Sequence, residues 1–152
     1  MARVAIVIGS ESDREVMSEA GKYFDYFGIS WEMHVLSAHR NPEETAAFAK
    51  NAAADGISVV IAAAGMAAHL PGVIAAHTDL PVIGVPLDTS ALNGLDALYS
   101  IVQMPAGIPV GTVAIGKAGA RNSAVLAARI IALSDTSVRK KLEEFRRQGF
   151  SL

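Results

Sequence analysis

Short apolar runs of strand length alternate with longer amphipathic segments from one end of this chain to the other. Val4-Ala5-Ile6-Val7-Ile8 is an unbroken apolar run, and Gly9 ends it. Residues 12–27 then read as a helix that stops at Gly28. A second strand is predicted over residues 32–36, and a second helix over 42–55, closed by Gly56. Val59-Val60-Ile61 marks the core of a third strand, with a fourth over residues 82–85 and a fifth over 112–115. Further helices are predicted near 73–77, over 90–102 and 120–133, and a C-terminal helix over 136–148.

Near-continuous β-branched runs, rather than strict alternation, fit strands buried on both faces. Strands that alternate with helices through short links imply a parallel sheet, helices on both sides and right-handed crossovers. Five strands therefore predict an α/β fold: a three-layer, flavodoxin-like sandwich around a five-stranded parallel sheet. There is no linker, internal repeat or low-complexity tract, and 152 residues suit one domain spanning 1–152.

Composition adds an expectation about assembly. Hydrophobic residues make up 51% of the chain and charged residues 18%, against about 25% charged in an average domain. Mean hydropathy is +0.34, yet no apolar run approaches the roughly 18 residues of a membrane span. Burial between subunits reconciles these values, so a homo-oligomer with large interfaces is expected. The net charge of −2 gives no electrostatic footprint for nucleic acid. The basic residues of the last helix, among them Arg139, Lys140, Arg146 and Arg147, alternate with Glu143 and Glu144 and read as a solvated amphipathic face. Cysteine is absent, which removes disulfides and thiolate chemistry and suits a reducing compartment. The N-terminus runs straight into a strand without signal-peptide architecture, so a cytoplasmic location is expected.

Candidate chemistry gathers at three strand-to-helix junctions, where open α/β sheets hold their ligands. The first reads Gly9-Ser10-Glu11-Ser12-Asp13, and small hydroxyl residues at a helix start offer donors to a phosphate. Asp13 suits either a first-turn acid or an acceptor for sugar hydroxyls. The second reads Ser37-Ala38-His39-Arg40. Here an imidazole that titrates near neutrality stands beside a guanidinium fork suited to phosphate oxygens. The pair suits either acid/base work on an anionic substrate or a plain exposed polar loop, and its company at the other junctions favours the former. At the third, Ala62 to Ala68 contains five alanines around Gly65 and Met66 and is followed by His69 and Leu70. Small residues there suit either close ligand approach or tight helix-on-sheet packing.

Other signatures fail. Gly111 to Lys117 spells G-x-x-x-x-G-K, but Ala118 replaces the Ser/Thr and the intervening residues read as a strand. No G-x-G-x-x-G follows the first strand, no G-x-S-x-G elbow exists, and the four histidines lack metal-ligand spacing. His34 is expected to point outward from its strand and His77 to end a helix.

Several irregular words, in order, resemble the 5-(carboxyamino)imidazole ribonucleotide mutase family of purine biosynthesis, also known as phosphoribosylaminoimidazole carboxylase catalytic subunits. They are the first two junctions, Ala67-Ala68-His69-Leu70-Pro71-Gly72, Pro81-Val82-Ile83-Gly84-Val85-Pro86, Ser100-Ile101-Val102-Gln103-Met104-Pro105 and the stretch from Ala114 to Asn122. The resemblance runs from about residue 3 to 133. It implies a flavodoxin-like homo-octamer with active sites at subunit contacts and no metal or organic cofactor. The implied reaction moves a carboxylate from the exocyclic nitrogen of an aminoimidazole ribonucleotide to a ring carbon. By resemblance, His39 is the general acid/base, Ser10 and Asp13 hold the ribose-phosphate, and Ser37 and Arg40 bind phosphate. The 65–72 loop, with Gly65, Ala68, His69 and Leu70, encloses the migrating carboxylate. A sister carboxylase that takes up carbon dioxide directly usually carries Lys after the His and lacks the His-Leu-Pro-Gly word, so Arg40 and residues 69–72 favour the mutase. Two positions depart from the family's usual pattern. Arg14 replaces Trp or another apolar residue, and Met66 replaces a glycine, where its side chain either points away or narrows the carboxylate pocket.

Overall fold

The computed structural model describes residues 3–152; Met1 and Ala2, which begin the expected leaderless N-terminus, lie outside the described residues. Five parallel strands lie in the order β2-β1-β3-β4-β5. They are β1 (Arg3–Ile8), β2 (Ser30–Val35), β3 (Ile57–Ala64), β4 (Val82–Pro86) and β5 (Gly111–Thr112). Six helices connect and flank them: α1 (Arg14–Phe27), α2 (Pro42–Asn51), α3 (Leu70–Ala75), α4 (Leu95–Val102), α5 (Lys117–Ile131) and α6 (Thr136–Arg147). The result is the flavodoxin-like three-layer sandwich.

Each sheet face has its own core. Val4, Ile6 and Ile8 of β1, with Ile61 and Ile83, pack against Phe24 of α1, the alanines of α5 and Phe145 of α6. The alternate residues Ala5 and Val7, with Val60 and Ala62, pack against Ala49 of α2, Ile74 of α3 and Ile101 of α4. Period-two alternation therefore separates two apolar faces instead of an apolar from a polar one, which is why the strands read as continuous hydrophobic runs. Ala62 and Ala63 are buried within β3 and serve packing, Ala64 is buried at the strand's end where a cavity begins, and the chain reopens toward solvent at Gly65 before Ala68 returns to the core.

Several boundaries differ from those read in the sequence. A turn of 3-10 helix (Glu11–Asp13) precedes α1. α4 begins only at Leu95, because Asn93 and Gly94 both take left-handed backbone angles that a helix cannot include. α2 ends at Asn51, and residues 52–56 form turns that close on Gly56. β5 is two residues long rather than spanning 112–115. Val113 N–H still donates to Gly84 O, but the next bond to β4, to Pro86 O, comes from Gly116. That inserts an extra residue relative to a regular parallel ladder, as a bulge does. His34 does not point outward: its ring packs on Phe48, with centroids 4.9 Å apart, and its Nε2 lies 2.7 Å from Glu32. His77 lies in the turn after α3, its N–H on Ile74 O.

α5 sits close against the bulged segment. A Cβ on Gly119 would stand 1.7 Å from the Ala114 carbonyl oxygen, a backbone atom that cannot swing aside. Gly119→Ala is therefore expected to push α5 off the sheet at a cost of about 2–3 kcal/mol, lowering Tm by roughly 5–10 °C in a thermal melt.

Candidate active site

Parallel pairing aligns the strand ends. Ile8 is opposite both Val35 and Ala63, and Ala64 is opposite Pro86, so the segments that follow four strands emerge at one rim. A cavity of about 470 Å³ lies there, across the switch point where the chain crosses from β2 through β1 to β3. Gly9, Ser10, Ser12 and Asp13 line it from β1, residues 37–40 from β2, residues 64–67 with His69 and Leu70 from β3, and Thr89 from the loop after β4.

The first junction is held by its own hydrogen bonds. Ser10 caps the 3-10 turn, its Oγ accepting from Ser12 N–H at 3.4 Å and lying 2.9 Å from Ser12 Oγ. Asp13 answers three residues on, its carboxylate accepting the Ser10 backbone N–H, in the manner of a capping box. Asp13 is only 5% exposed. Burial pushes its carboxyl above the ordinary aspartate value, and the Ser10 hydrogen bond opposes that shift. Asp13 thus caps the turn, as a first-turn acid does, and also lines the cavity. Arg14 turns away to ion-pair with Glu11, and its Nη1 reaches Met33 Sδ at 3.5 Å.

The second junction is anchored from below. Ser37 O accepts from Asn41 N–H at 2.8 Å and from the Thr45 hydroxyl at 3.3 Å, while Ser37 Oγ accepts from Arg40 N–H at 3.2 Å. Thr45 is fully buried and also bonds Asn41 O, so the first turn of α2 holds the loop's shape. His39 and Arg40 stand out from it, exposed. Among the described residues no carboxylate pairs with the Arg40 guanidinium, and Arg40 is one of the residues that line the cavity.

The third junction meets the second. His39 Nε2 lies 2.7 Å from His69 Nδ1, with the rings nearly perpendicular at 84°. An N–H···N bond needs one proton between two ring nitrogens, so while it holds the pair carries at most one positive charge. Gly65 makes room for Thr89, whose Oγ1 would lie 2.0 Å from a Cβ placed there. Leu70 is 2% exposed yet contributes to the wall. Ala68 is a correction: it is 1% exposed, packs into the core under the loop and does not line the cavity. The Ser12 hydroxyl of the first junction also lines the cavity, and the Thr89 hydroxyl falls outside the expected set. Thr89 follows β4, so applying the strand-end rule to a fourth strand would have found it. Among the described residues no group of three or more His, Asp or Glu is gathered as metal ligands would be.

Asp13 carries a testable cost. Its carboxyl binds a proton more tightly in the folded state, so the burial penalty is fully present above the folded pKa and is relieved as pH falls through it. Asp13→Asn is expected to melt above the unsubstituted protein at about pH 8, with the difference narrowing in acid. Thermal melts across pH check this, and a pH-independent difference would contradict it.

Comparison with known proteins agrees with this geometry. The sequence model of the AIR carboxylase family matches residues 3–150. A protein named N5-carboxyaminoimidazole ribonucleotide mutase from Brucella melitensis is 56% identical over 144 residues, 95% of this chain and 89% of that protein. One of the same name from Escherichia coli K12 is 53% identical over 146 residues, 96% of this chain and 86% of that protein. The crystal structure of Treponema denticola PurE superposes with a TM-score of 0.89 at 27% identity, covering 98% of this chain and 92% of that one. A match across nearly the whole length, to a fold whose strand-end cavity holds these words, establishes that the chain belongs to the AIR carboxylase family.

Proposed function

We propose that this chain is an N5-carboxyaminoimidazole ribonucleotide mutase, converting that substrate to 4-carboxy-5-aminoimidazole ribonucleotide in purine biosynthesis. The relatives' names and the family match support the conversion. The observation that carries the mechanism is the His39–His69 pair, 2.7 Å apart at the cavity rim beside Arg40.

The chemistry needs a proton delivered and then a proton removed. The bond between the exocyclic nitrogen and the carboxylate carbon breaks with its electron pair moving to nitrogen, which takes a proton from His39, and carbon dioxide departs. The electron-rich ring carbon then forms the new C–C bond, and His39 takes the proton that this carbon loses. Protons balance, no electrons leave the system, and His39 ends as it began. His69 orients the His39 ring through their shared hydrogen bond. Arg40 and Ser37 take the substrate phosphate, while Ser10 and Asp13 hold the ribose, the carboxylate accepting from sugar hydroxyls. Gly65, His69 and Leu70 surround the transferring carboxyl group, and Ala68 supports that loop from the core.

We read the whole chain as one catalytic domain, assembled as a cytoplasmic homo-octamer. The outer face of α4 supports assembly: Leu95, Tyr99 and Val102 recur at helical spacing and are 49%, 66% and 49% exposed. Light scattering tests this, with an octamer expected for the native chain and smaller species for Tyr99→Glu.

The deciding assay offers the carboxyamino ribonucleotide and, separately, aminoimidazole ribonucleotide with bicarbonate. Turnover of the first without added bicarbonate is expected; turnover of the second alone would assign the direct carboxylase instead. His39→Asn should bind substrate yet lose about 10²–10⁴-fold in turnover. Arg40→Ala should weaken binding by about 1.5–3 kcal/mol, roughly 10–100-fold in Kd by calorimetry.

A further inference from the structure

Only part of the basic set on α6 forms the solvated face that its alternation with glutamate predicts. Lys141 pairs with Glu144 there. Arg139, Glu143, Arg146 and Arg147 instead recur at i, i+4, i+7 and i+8, on one stripe of the helix. That stripe and Arg129 of α5 line a cavity of about 700 Å³, together with Leu142 and Phe145. Four guanidiniums therefore share one cavity with a single carboxylate, a surplus of three positive charges on a chain whose net charge is −2. Arg139 has a structural use, its Nη2 donating to Ala132 O at 2.8 Å at the end of α5. Arg129, Arg146 and Arg147 have none: among the described residues no carboxylate lies within ion-pair distance of them. The helix dipole accounts for a cation in a last turn. It does not account for two helices turning theirs into one cavity.

A second cavity, of about 450 Å³, adjoins the first and shares Arg129, Phe145 and Phe150 with it. Tyr23, Asn122 and Val125 line it further on, and the Asn122 amide has no hydrogen-bond partner among the described residues. Phe150 stands at the boundary. Gly149 N–H donates to Arg146 O at 3.1 Å and Phe150 N–H to Phe145 O at 3.0 Å, a Schellman cap that closes α6. The cap sets the Phe150 ring nearly perpendicular to Phe145, with centroids 5.8 Å apart, yet leaves it 53% exposed. A flat apolar ring held beside unpaired guanidiniums has the two parts of a nucleotide site: cations for phosphates and a face for the base.

We propose that this groove between α5 and α6 is a second ligand site, separate from the strand-end cavity, that binds a nucleoside diphosphate. Its phosphates lie on Arg129, Arg146 and Arg147, its base stacks on Phe150, and the Asn122 amide meets the polar edge of the base. A terminal phosphate carries about −1.5 to −2 at pH 7 and the inner one adds to it, which matches the surplus of positive charge. The confinement of that surplus to one groove suits a small anion, not a nucleic-acid strand. None of these residues lines the strand-end cavity. α5 and α6 cover the sheet face opposite to α4, so assembly through α4 leaves the groove open. The site stands independently of the mutase reading.

Calorimetric titration of the whole chain with ADP and with pyrophosphate tests this, in the native protein and in an Arg40→Ala background that weakens phosphate binding at the strand-end cavity. Saturable ADP binding is expected in both. Adding Arg129→Ala or Arg146→Ala should raise its Kd about tenfold or more. Phe150→Ala should weaken ADP about five- to hundredfold and leave pyrophosphate unchanged. Phe150→Leu keeps the apolar contact of the cap and should weaken ADP as well, which separates loss of stacking from loss of the cap. Absence of saturable binding at about millimolar ADP would overturn the proposal. So would ADP binding that Arg129→Ala and Arg146→Ala both leave unchanged, because the ligand would then sit elsewhere. Phe150 variants that bind ADP as the native protein does would leave a plain anion site and overturn the nucleotide assignment.

Discussion

Everything at the site depends on the register of the parallel sheet. Ile8 pairs with Val35 on one side and Ala63 on the other, and Ala64 with Pro86 beyond. Backbone hydrogen bonds such as Leu36 N–H to Ile8 O, at 2.9 Å, carry that level into the loops. A parallel ladder has no hairpins, so every strand exits in the same direction and every crossover must return behind the sheet. Residues far apart in sequence, Asp13, His39, His69 and Thr89, are thereby delivered to one cavity. A slip of one residue in β1 would turn its side chains to the opposite face and break both cores.

The scaffold and the site make opposite demands, and they are met within a few residues of each other. Thr45 is buried with its one hydroxyl proton shared between Asn41 O and Ser37 O, which stabilises the loop that presents His39 and Arg40. Asp13 is buried at a cost, its carboxyl pushed up by loss of water, in a turn it helps to close. Met66 takes a backbone shape better suited to glycine. The rigid elements are apolar and well packed, while these two unfavourable features lie at the rim, as is common where binding groups must be held ready before the ligand arrives.

The two imidazoles illustrate how function is built from shared contacts. A solitary histidine on an exposed loop would sample many ring orientations. With Nε2 of His39 on Nδ1 of His69, two loops constrain each other through one proton, and the His39 ring is held in place. The tie also couples the position of the His39 ring to the 65–69 loop, because the turns that place His69 begin at Met66.

Much of this was legible in the sequence. Alternation of apolar runs with amphipathic segments carries the fold class, since side-chain period is a local property that the backbone imposes wherever a residue sits. The junction words were visible for the same reason: a glycine or a small residue after an apolar run marks a strand end before any partner is known. The tertiary structure decided what depends on long-range approach. Asn93 and Gly94 delayed α4, and the close seat of α5 on Ala114 came with a bulge that cut β5 short. His34 turned toward Phe48, and Ala68 went into the core instead of the cavity. The contact between His39 and His69, thirty residues apart, belongs to that second class. Its geometry is set by two loops meeting in space, and no property of either segment alone contains it.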